Sequence, residues 1–407
     1  MKNFLYNNKK KVAFTIVIVL IIAICILKTI DILQANKYGH FERISNMNVA
    51  RAGHKSFLLS DGKVLIVGGN NYYINNAKFI YPQKKENNSI EIYNPRTKTF
   101  IFNRDLGEYI KPQSSITLLK NDKLLITGGE IVSNNHNGLK VKNYSSAIIY
   151  DPKSNHISTL PNMHTPRGSH LSILLNDGRV LISGGDKLNS SEIFDPKINN
   201  FILLKSHINY KHGANTLFCI LKNNQVLLLN PTLETKQEAE YFNAKTNSFA
   251  VISSPLYPTM NLKNFNLKKY SFEHIVPLNG DKIVMFGNYN DQFNNTSIYN
   301  TISKKNQNIG SMKIKGRHNY EVTLLKNNNI LITDGYIGKA DLTFLLDTNE
   351  IFDTQNLHFY KLRRLNDRRY LSSTILLKNG DVLVTGGKSY NSKYQKSAIL
   401  YKFPKTK

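Results

Sequence analysis

The hydrophobic pattern of this 407-residue chain repeats a short unit, in which two apolar runs flank a polar turn. The clearest copies are LLSDGKVLIVGG at residues 58–69 and LLNDGRVLISGG at residues 174–185. In both copies the turn is of the Asp-Gly kind, and a Gly-Gly pair ends the second run. This pattern is typical of two antiparallel β-strands joined by a tight turn. The sequence therefore predicts a β-hairpin that recurs along the chain.

Seven hairpins of this kind follow one another with a period of about 50 residues. They end at Gly69, Gly129, Gly185, Pro231, Asn288, Gly335 and Gly387. A second element follows each hairpin, as in SEIFDPKINNF at residues 191–201, and indicates a third strand, a turn and usually a fourth strand. Four strands per unit and seven units predict an all-β fold, a seven-bladed β-propeller.

Two units carry further shared residues: ARAGHKSFLLSDGKVLIVGG at residues 50–69 and PRGSHLSILLNDGRVLISGG at residues 166–185. With its order of Arg, His, Asp-Gly, Gly-Gly and an Asx-Pro turn, the chain resembles the kelch-repeat propellers related to the central domain of galactose oxidase. The resemblance covers nearly all of residues 41–403 and implies the propeller fold. The chain has no tryptophan, however, and other residues replace the Trp that often follows the turn in this family. Family functions that depend on that Trp are not implied.

The seventh unit is too short for four strands, because only PKTK follows the strand that ends in AILYKF. The stretch GHFERISNM, which begins at Gly39, has the phase of the missing outermost strand. We expect a strand near residues 39–46 to pair with the last blade, because ring closure removes an exposed sheet edge. The predicted propeller domain spans residues 34–407.

An apolar segment at residues 12–33 follows a cluster of lysines at residues 9–11. It just reaches the length of about 20 residues that a membrane span needs. We predict a single-pass membrane anchor, with residues 1–11 as a short cytoplasmic tail and the propeller on the extracytoplasmic side, following the positive-inside rule. A cleaved signal peptide is the alternative.

The composition narrows the choice of partners. The formal net charge is +26, but lysines occur along the whole chain, so we expect no nucleic-acid partner. Of the two cysteines, Cys25 lies in the apolar segment, which argues against a structural disulfide in the folded part. The sequence predicts no cofactor and no metal site, and we expect a monomeric propeller.

The candidate site residues share two positions just before the innermost strand of each blade. Five units place a cation at the first position: Arg51, Lys111, Arg167, Arg317 and Arg369. At the second position the candidates are His54, His170 and Glu273. We predict that the propeller gathers the five cations around the channel, where they bind an acidic ligand. The alternative follows from the resemblance: in kelch units, this Arg and His often connect neighbouring blades through backbone carbonyls.

Long insertions at residues 70–89, 130–145, 336–348 and 388–396 are predicted to lie on the same face as these positions, where loops commonly carry binding sites. They contain the aromatic residues Tyr72, Tyr73, Phe79, Tyr81, Tyr144, Tyr336, Phe344, Tyr390 and Tyr394. We therefore predict an extracytoplasmic binding or scaffold module whose ligand is a protein or an acidic glycan. Insertions that are merely tolerated by the fold are the alternative.

Enzymatic functions find less support in the sequence, and we assign no catalytic residue. A copper-radical oxidase would need a Tyr linked to a Cys, yet Cys219 lies in an apolar strand of a degenerate unit. A sialidase would need repeated Trp-containing boxes. An isomerase or hydrolase of sialic-acid-like sugars, which would use arginines together with Glu273, is the second candidate.

Overall fold

The computed structural model describes most of the chain from residue 37 onward and part of the N-terminal segment. The described residues are 15–22, 25–26, 29, 33, 37–69, 74–75, 78–79, 88–135, 138–185, 188–213, 215–229, 239–252, 270–278, 281–289, 293–338, 344–362, 367–389 and 393–404. Residues 15–22 are helical, and their aliphatic side chains are exposed. No helix within the described residues is both long and apolar enough to cross a membrane.

Seven four-stranded antiparallel sheets form the blades of a β-propeller in the described part of the chain. From the channel outward, blade 1 consists of Lys55–Leu58, Val64–Val67, Ser89–Asn94 and Thr99–Asp105. Blade 2 consists of Ser115–Leu118, Leu124–Thr127, Ala147–Asp151 and His156–Thr159. Blade 3 consists of Leu171–Leu174, Val180–Ser183, Ser191–Asp195 and Asn200–Leu203.

The next three blades repeat this order, although the strands of blade 5 are longer. Blade 4 consists of Leu217–Ile220, Gln225–Leu229, Ala239–Asn243 and Ser248–Val251. Blade 5 consists of Tyr270–Pro277, Lys282–Tyr289, Phe293–Asn300 and Asn306–Ser311. Blade 6 consists of Glu321–Leu324, Ile330–Thr333, Glu350–Asp353 and His358–Lys361.

Blade 7 takes its strands from both ends of the propeller: Ser373–Leu376, Val382–Thr385, Ala398–Lys402 and, outermost, His40–Arg43. His40 lies opposite Lys402, and Arg43 lies opposite Ile399. The N-terminal strand therefore occupies the outer edge that the short seventh unit leaves open in the sequence. The innermost strands of blades 1 and 7 also contact each other, which closes the ring.

The second strand of each blade explains the continuous apolar runs in the sequence. All four residues of Val64–Val67 are buried, and the same holds for Val180–Ser183 and Val382–Thr385. Both faces of such a strand pack against a neighbouring blade, so alternation between apolar and polar residues disappears. The hydrophobic core consequently lies in the seams between blades.

The first glycine of the Gly-Gly pair permits a close approach between neighbouring blades. Gly128 has φ +61°, and a Cβ atom there would lie 2.2 Å from the carbonyl oxygen of Arg167 in the next blade. In blade 6, Asp334 occupies the corresponding position with φ 61°. Its carboxylate accepts a hydrogen bond of 2.5 Å from the Ser372 hydroxyl of blade 7, in addition to the backbone bond of 2.9 Å from Gly335 N–H to the Arg369 carbonyl oxygen.

Three further two-stranded hairpins extend from the loops that follow the second strands. They pair Ile74–Asn75 with Lys78–Phe79, Glu130–Asn135 with Gly138–Asn143, and Tyr336–Ile337 with Phe344–Leu345. A short 3₁₀ helix at Gly107–Tyr109 connects blades 1 and 2. We call the side of the propeller that carries these hairpins the loop face, and the side with the Asp-Gly turns the turn face.

Candidate functional site

The four candidate arginines lie inside the blades, with side chains that are almost completely buried. The Arg51 Nη1 atom donates hydrogen bonds to the carbonyl oxygens of Gly68 at 2.7 Å and Ser89 at 3.0 Å. Meanwhile, the Arg51 backbone N–H bonds to the Gln395 carbonyl oxygen of blade 7. One residue thus holds its own blade with its side chain and the neighbouring blade with its backbone.

A glutamate on the third strand of the same blade neutralises the buried guanidinium group. Arg51 Nη2 lies 2.7 Å from Glu91 Oε1, and the same pair joins Arg167 to Glu192 at 2.9 Å. Arg317 and Glu350 repeat it at 3.1 Å. Burial lowers the pKa of these guanidinium groups, whereas the facing carboxylates oppose that shift.

Blade 7 keeps the arginine but changes its acidic partner. Arg369 Nη2 lies 2.5 Å from Asp367 Oδ2, and Arg369 Nη1 donates to the Gly386 carbonyl oxygen at 2.8 Å. Blade 4 has no arginine at this position, and His212 Nε2 lies 2.8 Å from Glu240 Oε1 instead. In these contacts the Nη donors of the four arginines bind groups of the fold, and the binding of an acidic ligand by these residues stays a prediction.

The two candidate histidines connect neighbouring blades. His54 of blade 1 bonds through Nε2 to the Thr385 hydroxyl of blade 7 at 2.8 Å, and His170 of blade 3 bonds to the Thr127 hydroxyl of blade 2 at the same distance. Burial, together with the charges of the nearby arginines, lowers the pKa of both imidazoles to about 3. Both histidines are therefore neutral at physiological pH and belong to the seams between blades.

Glu273 lies apart from the other candidates, at the seam between blades 5 and 6. Its Oε1 atom is 3.2 Å from His318 Nδ1, and the His318 ring packs against Tyr336 with 5.7 Å between ring centroids. The arginines that a sugar isomerase or hydrolase would use beside Glu273 are bonded within the blades. The eight candidates thus do not form a single site.

Lys111 of blade 2 is the exception among the five candidate cations. It occupies the position of the arginines, but Ile148 stands on the third strand where Glu192 stands in blade 3. Lys111 Nζ lies 4.9 Å from the Tyr144 ring centroid and 3.4 Å from the Ser146 hydroxyl. In the described part of the chain, Lys111 forms no ion pair. Its charge is therefore not neutralised by the blade.

The replacement of the Arg–Glu pair leaves a cavity of about 770 Å³ between blades 1 and 2. Its lining includes apolar side chains, Tyr144 and Ser146 beside Lys111, and the acidic residues Asp105 and Glu108. The 3₁₀ helix forms a wall and is held by Asn88, whose amide donates to the Ile110 carbonyl oxygen at 3.0 Å. We call this cavity the blade 2 pocket; its lining includes Lys111, Ile126, Tyr144, Ser146, Ile148 and Leu160.

Only part of the predicted aromatic surface can be placed. Tyr144 belongs to the blade 2 pocket, and Tyr336 lies beside Tyr370 in an edge-on arrangement with 5.6 Å between centroids. Lys388 Nζ lies 4.9 Å from the Tyr394 ring centroid. The remaining predicted tyrosines lie outside the described residues: Tyr72, Tyr73, Tyr81 and Tyr390.

Sequence reasoning missed one charged residue of the channel, Lys55. It is the first residue of the innermost strand of blade 1 and lines a cavity of about 580 Å³. Lys55 directly follows the candidate His54 at the start of an inner strand, and this place could have indicated a residue of the channel. A comparison of repeated positions does not reveal Lys55, because the other units have no lysine there.

Comparison with known proteins supports the fold. No protein-family model matches the sequence, and no curated protein sequence matches it either. Among solved structures, the chain is similar to a fungal alcohol oxidase of the AA5 family in complex with copper, with a TM-score of 0.62 and 16% sequence identity. The match covers 91% of this chain and 77% of that one. The chain is thus a seven-bladed propeller whose fold is similar to that of this oxidase.

Proposed function

We propose that this propeller is a binding module that holds a small acidic ligand, such as a carboxylated sugar, in the blade 2 pocket. The observation that carries the proposal is the change at one repeated position: Lys111 replaces the buried arginine, and Ile148 replaces its glutamate partner. Lys111 forms no ion pair with the described residues, and an ammonium group at the edge of a concave cavity favours an anionic group.

The pocket also suits the remainder of such a ligand. Its volume of about 770 Å³ lies within the usual range for small-molecule sites. Tyr144 offers an aromatic ring, and the ammonium groups of Lys111 and Lys142 lie 4.9 Å and 5.2 Å from its centroid. Ser146 adds a hydroxyl group. These groups would bind a carboxylate at one end and a sugar ring beside it.

The proposal is tested by titrating the full-length protein in detergent with glucuronate and N-acetylneuraminate, with galactose as the neutral counterpart. Lys111→Met should weaken binding of the acidic sugars about tenfold or more, because a charge-assisted contact is lost. Raising the salt concentration from about 50 to about 300 mM should weaken wild-type binding as well.

The matched control is Lys63→Met on the turn face. Lys63 is exposed and paired with Asp61 at 2.9 Å, so this variant removes the same charge far from the pocket. It should bind like the wild type. Equal affinity of Lys111→Met and wild type for the acidic sugars would refute the proposal, provided that both melt at the same temperature.

We further propose that residues 12–33 anchor the protein in a membrane and place the propeller on the extracytoplasmic side. The support is the apolar sequence behind the lysine cluster, together with the exposed aliphatic side chains of residues 16–22. Full-length protein should remain in the membrane fraction after alkaline carbonate washing, and external protease should digest the propeller. A soluble mature chain that begins near residue 36 would show that the segment is a cleaved signal peptide.

A further inference from the structure

The central channel contains a second cavity with a cationic group, separate in its chemistry from the blade 2 pocket. The cavity has a volume of about 580 Å³ and is lined by the innermost strands of blades 1 to 4. Lys55 contributes the ammonium group, while Phe57 of blade 1 and Phe218 of blade 4 contribute aromatic walls. Phe218 is 41% exposed, although it lies on an inner strand.

Lys55 is poorly compensated by its surroundings. Its Nζ atom donates one long hydrogen bond of 3.4 Å to the Ile116 carbonyl oxygen. It forms no ion pair with the described residues. Water reaches the side chain, yet protein encloses it, and this burial lowers the pKa of the ammonium group below its usual range. Because Lys55 is exposed to the water of the cavity and forms no ion pair with the described residues, its ammonium group is open to an anion that enters the channel.

A carboxyl group on the opposite wall of the channel does not weaken the preference of Lys55 for an anion. Glu321 begins the innermost strand of blade 6 and holds the same register position as Lys55, opposite Thr333 as Lys55 is opposite Val67. Burial and the nearby Asp334 carboxylate together raise the pKa of Glu321 to about 8. Glu321 is therefore mostly protonated at neutral pH, and it does not repel an anion.

We infer that the channel binds a small monocarboxylate with a flat apolar body, with Lys55 pairing to the carboxylate and Phe57 and Phe218 packing against the body. Ser115 and Thr117 line the same cavity, and their hydroxyl groups can donate hydrogen bonds to the carboxylate. The channel site does not depend on the function proposed for the blade 2 pocket.

The test uses benzoate as the probe and benzamide as its neutral counterpart, titrated into the full-length protein in detergent by calorimetry. Wild-type protein should bind benzoate and not benzamide. Lys55→Met should weaken benzoate binding about tenfold or more, because the charge-assisted contact is lost. Lys55→Arg should retain part of the affinity.

Because Lys111 lines both cavities, the variant Lys111→Met is needed to show which of the two sites binds benzoate. Lys111→Met should impair binding of acidic sugars but change benzoate affinity less than about threefold. Lys55→Met should impair binding of benzoate but change the affinity for acidic sugars less than about threefold. If Lys111→Met abolishes benzoate binding while Lys55→Met leaves it intact, the channel inference is overturned and the blade 2 pocket is the benzoate site.

The melting temperature distinguishes a ligand-binding role of Lys55 from a structural role. Removal of a poorly compensated ammonium group should leave the melting temperature of Lys55→Met unchanged or raise it, because the variant no longer desolvates a charge. A melting temperature several degrees below wild type would identify Lys55 as a structural cation and overturn the inference. Lys63→Met again serves as the exposed control.

Discussion

Blades 2 and 3 have the same four-stranded arrangement, but the cation at one repeated position has a different role in each blade. In blade 3, Arg167 is buried against Glu192 and bonds the strands of its own blade. In blade 2, Lys111 stands at that position without a carboxylate, next to a pocket of about 770 Å³. The comparison teaches that a cation at this position serves the fold where the blade supplies a carboxylate, as Glu192 does in blade 3.

The largest expected effect comes from breaking the pair in blade 3. Arg167→Met leaves the buried Glu192 carboxylate with only His164 and backbone N–H groups beside it, and loss of one partner of a buried pair costs about 3–5 kcal/mol. Lys111→Met in blade 2 breaks no such pair and should change stability little. Denaturant unfolding of both variants measures the difference.

A double variant sharpens this result. Arg167→Met combined with Glu192→Met removes both charges and should recover part of the lost stability, because no lone carboxylate stays buried. Equal unfolding free energies for Arg167→Met and Lys111→Met would show that the two blades do not differ in the way the contacts indicate.

An intermediate effect is expected from converting blade 2 into the pattern of blade 3. The double variant Lys111→Arg and Ile148→Glu would restore the pair and place a guanidinium group and a carboxylate where the pocket now opens. Binding of acidic sugars should fall about tenfold or more, while the protein stays folded. The single variant Lys111→Arg is the control, since it keeps a cation without adding the carboxylate. Undiminished binding in the double variant would contradict the role of the pocket.

The smallest expected effect concerns the seam between these blades, where His170 bonds to Thr127. Burial lowers the pKa of His170 to about 3, whereas an unfolded histidine titrates near 6.5. Between these values the unfolded chain binds a proton that the folded chain does not, so stability falls as the pH falls. His170→Gln should reduce this slope when melting temperatures are measured from pH 7 to pH 4.

The exposed His156 provides the matched control, since His156→Gln should leave the slope unchanged. His54 at the seam between blades 1 and 7 has the same lowered pKa, so the slope in His170→Gln should decrease without vanishing. Identical slopes for His170→Gln and wild type would mean that His170 does not resist protonation in the folded state.

Much of the fold could be predicted because the blades are local structures. Strands, turns and the Gly-Gly pairs lie close together in the sequence, and the seventh unit is one strand shorter than the others. The roles of the arginines could not be read from their own positions, because their glutamate partners lie on another strand. A partial signal existed: glutamate precedes the third-strand aromatic residue in units 1, 3, 4 and 6, whereas unit 2 has Ile148.

The sequence by itself determined the number of blades, the order of strands and the position that Lys111 shares with the arginines, because each depends on short repeated patterns. Only the tertiary structure decided that four of the five cations are buried in the blades, that Lys111 borders a pocket and that Lys55 lies in the channel. The physical reason is that burial and charge compensation depend on residues from other strands and other blades. Those neighbours are set by ring closure, which no single repeat encodes.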